Sequence, residues 1–272
     1  MIRENYHTHT VLCDGSNTPE EMVEEALKKG FTRLGFSGHM DTDIHMDIDV
    51  YYQTIEALKE KYRDRIDILT GIELDTLYDP SCAYGAEYII GSTHYLDLPT
   101  ERSASVDGPE ERLVEIAGEW FGGDYMKLAR SYYELEASVY DRTHCTFVGH
   151  FDLVTRFNDS LHFLDESDPK YIGYALEAME HLVNQGLPFE INCGAYNRGR
   201  KKDFYPNHFL LKKLHEMGGE IFINSDAHQK ELLDGGFEDA VKAAVSCGFT
   251  HRNILAHDEF GKVVMKQMPL DI

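Results

Sequence analysis

Apolar strands that end on a metal-ligating side chain recur along this sequence, and that recurrence constrains its fold more than any other feature. Arg33 to Gly38 delivers His39, Ile66 to Ile72 delivers Glu73, and Tyr88 to Thr93 delivers His94. Cys145 to Gly149 then delivers His150, and Glu220 to Asn224 delivers Ser225-Asp226-Ala227-His228. At the start of the chain Arg3 to Tyr6 leads into His7-Thr8-His9. Alternate residues of a strand share a face, so His7 and His9 aim at one point.

Amphipathic stretches separate these strands. Thr18-Pro19-Glu20-Glu21 reads as a helix start, with Thr18 as cap, Pro19 at the first position and Glu21 completing a capping box. Gly30 marks its end. Further helices are expected over about 51–62, 124–140, 169–185, 206–217 and 237–247, with a short helix near Pro109 and a last short strand near 253–256. Strand and helix alternating seven or eight times predict an α/β fold with a parallel sheet, and the length suits a barrel. In such barrels functional groups gather at the carboxyl ends of the strands, where His7, His9, His39, Glu73, His94, His150, Asp226 and His228 all fall. One domain spanning 1–272 is expected, with the long connection from about Tyr95 to Asp124 as a lid insertion.

Imidazoles and carboxylates together suit zinc, iron(II) or manganese, and eight candidate ligands exceed the roughly four that one zinc takes. Two or three divalent metal ions are therefore expected. A carboxylate such as Glu73 would bridge two of them at roughly 3.5–4 Å, the spacing that serves displacement at phosphorus. The five cysteines are scattered without a CxxC pair, which excludes a thiolate zinc cluster and a disulfide framework.

A net charge of −22 works against nucleic acid and anionic membrane, so neither is an expected partner. There is no long apolar run and no basic, apolar leader, and the expected location is the cytoplasm. The sequence sets no oligomeric state. Asp41, Asp43, Asp47 and Asp49 lack EF-hand spacing and read as a solvated acidic loop, with His45 near the mouth. Arg198, Arg200, Lys201 and Lys202 read as a phosphate contact or a solvated surface.

His7-Thr8-His9-Thr10, Gly38-His39, Gly71 to Asp75, Ile90 to His94, Gly149 to Asp152 and Ser225 to His228 stand in the order of the PHP (polymerase and histidinol phosphatase) superfamily, which this sequence resembles nearly end to end. Gly149 to Asp152 with Glu190-Ile191-Asn192 is particularly similar to the histidinol-phosphatase branch. The resemblance implies a distorted seven-stranded (β/α) TIM-like barrel with a trinuclear site. His7, His9, Glu73 and Asp226 would hold the first metal, Glu73, His94 and His150 the second, and His39 and His228 the third. Relatives carry a further His shortly after the opening motif; here Asp14 would supply an oxygen instead.

The implied activity is hydrolysis of L-histidinol phosphate, a small phosphorylated amino alcohol of histidine biosynthesis, by in-line attack of a metal-bridging hydroxide. Arg156 occupies a position similar to a family phosphate ligand. Arg198 and Arg200 lie in a loop whose wording departs from the family's. Asp226, His228 or a metal-bound water would protonate the leaving alkoxide. Glu190 and Asn192 either recognise the substrate's amine or imidazole or stabilise the barrel mouth. A nucleotide, an oligonucleotide or a phosphotyrosine as substrate is the alternative within enzymes, and a non-catalytic metal-binding domain the alternative outside them.

Overall fold

The computed structural model describes residues 2–100 and 102–270. Its strands are β1 (Glu4–Asn5), β2 (Arg33–Phe36), β3 (His39–Met40), β4 (Asp67–Asp75), β5 (Tyr88–Ser92), β6 (Phe147–Val148), β7 (Phe189–Asn192), β8 (Ile221–Asn224), β9 (His251–His257) and β10 (Val263–Pro269). Its helices are α1 (Pro19–Lys28), α2 (Ile48–Tyr62), α3 (Glu110–Phe121), α4 (Tyr125–Glu136), α5 (Val139–Thr143), α6 (Asn158–Leu161), α7 (Pro169–Asn184), α8 (Gly194–Asn197), α9 (His208–Glu216) and α10 (Phe237–Cys247).

The main sheet runs β1-β2-β4-β5-β6-β7-β8, all parallel, with β3 beside the far half of β4. It closes just beyond the strands: the His9 amide donates to the Ala227 carbonyl at 2.9 Å, and the Ala227 amide to that of His7 at 3.1 Å. This is the expected distorted seven-stranded barrel.

Tyr6, Leu69, Tyr88, Ile90, Phe147 and Phe222 fill the interior. The Tyr88 ring needs glycine beside it: a Cβ at Gly71 would stand 2.1 Å from that ring, and one at Gly35 2.3 Å from its hydroxyl. Ile254 and Leu255 of β9 join this cluster, and the Tyr6 hydroxyl donates to the Leu255 carbonyl at 2.8 Å. Polar ties fix β9 across the amino ends of the strands. Arg252 pairs with Glu4, Asn253 donates to Glu220 at 2.8 Å, and His257 Nδ1 lies 2.6 Å from Asp67. The amino-terminal mouth of the barrel is thus plugged.

Local signals behave as expected at α1, where Thr18 and Glu21 form the reciprocal capping box and Gly30 adopts φ +79°. The expected helix over 124–140 is instead two, because Ser138 leaves helical geometry (φ −94°, ψ 2°) between α4 and α5. The closing strand near 253–256 belongs to a longer antiparallel hairpin with β10, whose side chains are largely exposed. No described helix is long and apolar enough to cross a membrane.

Candidate metal centre and active site

The strand ends bring the cluster together. In the parallel register of β3 on β4, His39 sits beside Glu73. Gly149 follows β6, and a Cβ there would meet Ser92 Oγ at 2.7 Å. Its absence lets Ser92 donate to Glu73 Oε1 at 2.8 Å. Beyond β8, Asp226 takes a left-handed conformation (φ 48°), which Asp tolerates better than most residues and which turns its carboxylate toward the imidazoles.

Glu73 is wholly buried at the centre. Its Oε2 lies 3.1 Å from His7 Nε2 and 3.4 Å from His9 Nε2, and its Oε1 lies 2.8 Å from His150 Nε2 and 3.2 Å from His94 Nε2. Asp226 Oδ1 approaches His9 Nε2 to 3.4 Å and His7 Nε2 to 3.8 Å. Asp14 accepts from His228 Nε2 at 3.1 Å and lies 3.8 Å from His39 Nε2. All nine sequence-predicted ligands therefore meet at one end of the barrel.

The donor set fits divalent cations. Two ligand atoms at about 2.1 Å from a tetrahedral ion stand about 3.4 Å apart, close to the separations around Glu73 and Asp226. Buried His7 Nε2, His9 Nε2, His39 Nδ1 and Glu73 Oε2 have no hydrogen-bond partner among the described residues. Three-or-more-atom groupings form at His9/Asp14/His39/His228, at His7/His9/Asp226, at His7/Glu73/His150 and at His39/Asp41/His94. Burial and the neighbouring imidazoles of His228 and His39 push His9 down to about 3, which leaves it neutral and able to coordinate. Burial alone would raise Glu73, but His7, His39, His94 and His150 hold it well below the usual carboxylate range.

Above the cluster is a cavity of about 380 Å³. Arg156, Arg198 and Arg200 line its wall, as do Asp41, Asp43 and Asp107. Arg156 is paired only loosely, with Asp107 at 3.5 Å. Arg198 is committed more tightly: it donates to the Asp226 carbonyl at 2.9 Å and to Asp226 Oδ2 at 3.3 Å. The connection after His94 supplies Tyr95, Ser105, Asp107 and Gly108 to the wall and is tied back by the Val106 amide donating to the His94 carbonyl at 2.8 Å.

Two expectations need correction. Glu190 and Asn192 do not line the cavity; both are wholly buried behind the cluster. Glu190 accepts from His7 Nδ1 at 2.8 Å, the His150 amide at 3.2 Å, and the side chains of Asn192 and Asn224 at 2.9 Å each. These bonds tie it to two of the ligand candidates, His7 and His150, which fits the second of its two expected roles, support of the barrel mouth. Asp41 is not a solvated loop residue, being 2% exposed beside His39. The spacing Gly-His-x-Asp carried no signal that the loop folds back; its closure depends on the Asp41 amide reaching the Ile44 carbonyl at 2.9 Å. His45 is exposed, stacks on Tyr78 and stays outside the cavity wall. Asp75, also missed as a site residue, accepts from the His94 amide at 2.8 Å and approaches its Nδ1 to 3.4 Å.

Fold and cluster together define a parallel barrel that carries divalent metal ligands at its carboxyl mouth. A sequence profile of the PHP domain family matches residues 5–194, and the chain belongs to that family. A protein named probable histidinol-phosphatase from Deinococcus radiodurans is 29% identical over 272 residues, which cover 91% of this chain and 96% of that one. The crystal structure of a histidinol phosphatase candidate from Listeria monocytogenes matches with TM-score 0.75 at 18% identity, covering 87% of this chain and 99% of the other. That of a histidinol phosphate phosphatase from Lactococcus lactis, complexed with zinc, L-histidinol and phosphate, gives TM-score 0.70 at 19% identity over 92% and 95% of the two chains.

Proposed function

We propose that this protein is a metal-dependent phosphomonoesterase that hydrolyses L-histidinol phosphate to L-histidinol and phosphate. The observation that carries the reading is the cavity itself, with a floor of overlapping His and carboxylate groups and arginines on its wall. The substrate follows from the names of the relatives, and the cavity suits it. Arginines on the wall match a phosphate, and carboxylates match an ammonium or imidazolium.

His7, His9, Glu73 and Asp226 form one ligand set, Glu73, His94 and His150 a second, and Asp14, His39 and His228 a third. Cations bound there would neutralise the phosphoryl oxygens and acidify a water for in-line attack. Arg156 presents its guanidinium fork to the phosphate oxygens, and Arg200 adds charge at the rim. Arg198 holds Asp226 in place, and through it the adjoining imidazoles. Burial opposes ionisation of Asp226, yet Arg198, His7, His9 and His228 hold its carboxyl well below the usual range, so it enters the reaction as a carboxylate. With Asp226 ionised and His228 committed to the third set, a water acidified at the cluster would be the group that protonates the leaving alkoxide.

The test is phosphate release from a panel of monoesters, including histidinol phosphate, a nucleoside monophosphate and phosphotyrosine, before and after removal of metal. Preference for histidinol phosphate, lost on chelation and restored by zinc, iron(II) or manganese, is expected. Full activity in the stripped protein overturns the mechanism, and preference for another ester overturns the substrate.

A further inference from the structure

We propose that Asp41 positions His39 for the third cation and that the Tyr95 hydroxyl, from the cavity wall, sets Asp41 for this task. The inference rests on reading the cluster as a metal centre.

His39 has two ring nitrogens with different surroundings. Its Nε2 faces Asp14 at 3.8 Å, within the grouping of His9, Asp14, His39 and His228. A neutral imidazole that coordinates through Nε2 carries its proton on Nδ1, and that proton needs an acceptor to fix the ring. Two oxygens are near: Glu73 Oε2 at 3.1 Å and Asp41 Oδ2 at 3.6 Å. Glu73 Oε2 is already shared by the Nε2 atoms of His7 and His9, so in a loaded centre its lone pairs are directed at cations. Asp41 is the acceptor that remains.

The rest of Asp41 is arranged to leave that oxygen free. Its Oδ1 accepts three hydrogen bonds, from the Asp43 amide at 2.8 Å, the Ile44 amide at 2.7 Å and the Tyr95 hydroxyl at 2.7 Å. Its Oδ2 receives none among the described residues, and the side chain is almost fully buried. Tyr95 touches no ligand of the third set through this hydroxyl, yet it begins the segment that also carries Ser105 and Asp107 into the cavity wall. Occupancy of the third site and the seating of the wall are therefore linked through one carboxylate.

The deciding variants are Asp41→Asn and Tyr95→Phe. Asparagine can keep its carbonyl on the two loop amides and Tyr95, preserving the loop, but it turns an NH2 toward the His39 Nδ1–H. Zinc stoichiometry and stepwise zinc affinity, measured by competition with a chromophoric chelator, provide a readout independent of turnover. Positioning of a metal-bound histidine is worth about 10–100-fold in affinity. Asp41→Asn should weaken the third zinc by that order, Tyr95→Phe by less, and both should leave the other two zincs and the melting temperature of the metal-free protein unchanged. Three zincs bound at wild-type affinity in Asp41→Asn overturn the proposal. So does a zinc-edge anomalous map that places an ion in bonding contact with Asp41. Wild-type protein that binds no zinc instead overturns the reading of the cluster, and the proposal with it.

Discussion

Glu190→Gln separates a ligand-orienting role from a substrate-reading one, and its cost can be worked from the hydrogen bonds. Oε1 accepts from His7 Nδ1 and Asn224 Nδ2, and Oε2 from the His150 amide and Asn192 Nδ2. An amide keeps one acceptor oxygen, so either orientation sets an NH2 against two buried donors. Neither asparagine can turn over to relieve it, because Asn192 Oδ1 is held by the Gly194 amide and Asn224 Oδ1 by the Tyr6 amide. A buried donor left without an acceptor costs about 1–3 kcal/mol, which makes the substitution worth roughly 2–6 kcal/mol. That is a large fraction of a typical domain's stability of about 5–15 kcal/mol. Urea denaturation of the metal-free protein measures it, and chelator competition should show weakened zinc binding at the His7 set. A loss below about 0.5 kcal/mol with unchanged zinc affinity, or a raised KM in an otherwise stable enzyme, would refute this reasoning and restore Glu190 as a substrate contact.

Other consequences can be checked as directly. Arg156→Ala removes a charge-assisted contact worth about 1.5–3 kcal/mol, so kcat/KM for the phosphate ester should fall roughly ten- to a hundredfold with bound zinc unchanged; parallel loss of zinc would mark a structural role instead. Gly71→Ala drives a methyl into the Tyr88 ring and should cost about 1–3 kcal/mol or more, whereas Gly118→Ala, in an exposed turn of α3 with nothing within 4 Å, should gain up to about 1 kcal/mol; both are read from thermal melts. His257, at Asp67 and Glu87, is lowered by burial but raised more by these carboxylates, so its folded value lies above the unfolded one of about 6.5. Its stabilisation is full below that unfolded value and disappears as pH rises through the folded one. The gap in melting temperature between wild type and His257→Asn should therefore narrow from pH 6 to pH 9, and a constant gap would count against the pairing.

Much of the barrel and the ligand cluster was legible because both follow from periodicity and order. A buried parallel strand is a nearly continuous apolar run whose far end emerges at the carboxyl mouth; His94 and His150 lie two residues past β5 and β6, while β4 runs on through Glu73 to Asp75 and His39 opens β3 beside it. Residues whose function depends on loop closure were not legible. Asp41 shares its stretch with Asp43, Asp47 and Asp49, of which Asp47 caps α2 and Asp43 reaches the cavity wall, and composition does not separate these fates. Glu190 was found with two roles left open, since a strand-end carboxylate can face the mouth or turn behind its neighbours, and only the packing of Asn192 and Asn224 separates them. The β10 strand escaped notice because it buries little and lacks the alternation of a half-buried strand.

The plug formed by β9 bears on traffic. With Tyr6, Ile254 and Leu255 packed at the amino end, the opening that the described residues offer to ions and ester lies past the arginines. An occupant lodged there acts as a cork, so saturating phosphate should slow the stripping of zinc by a bulky chelator.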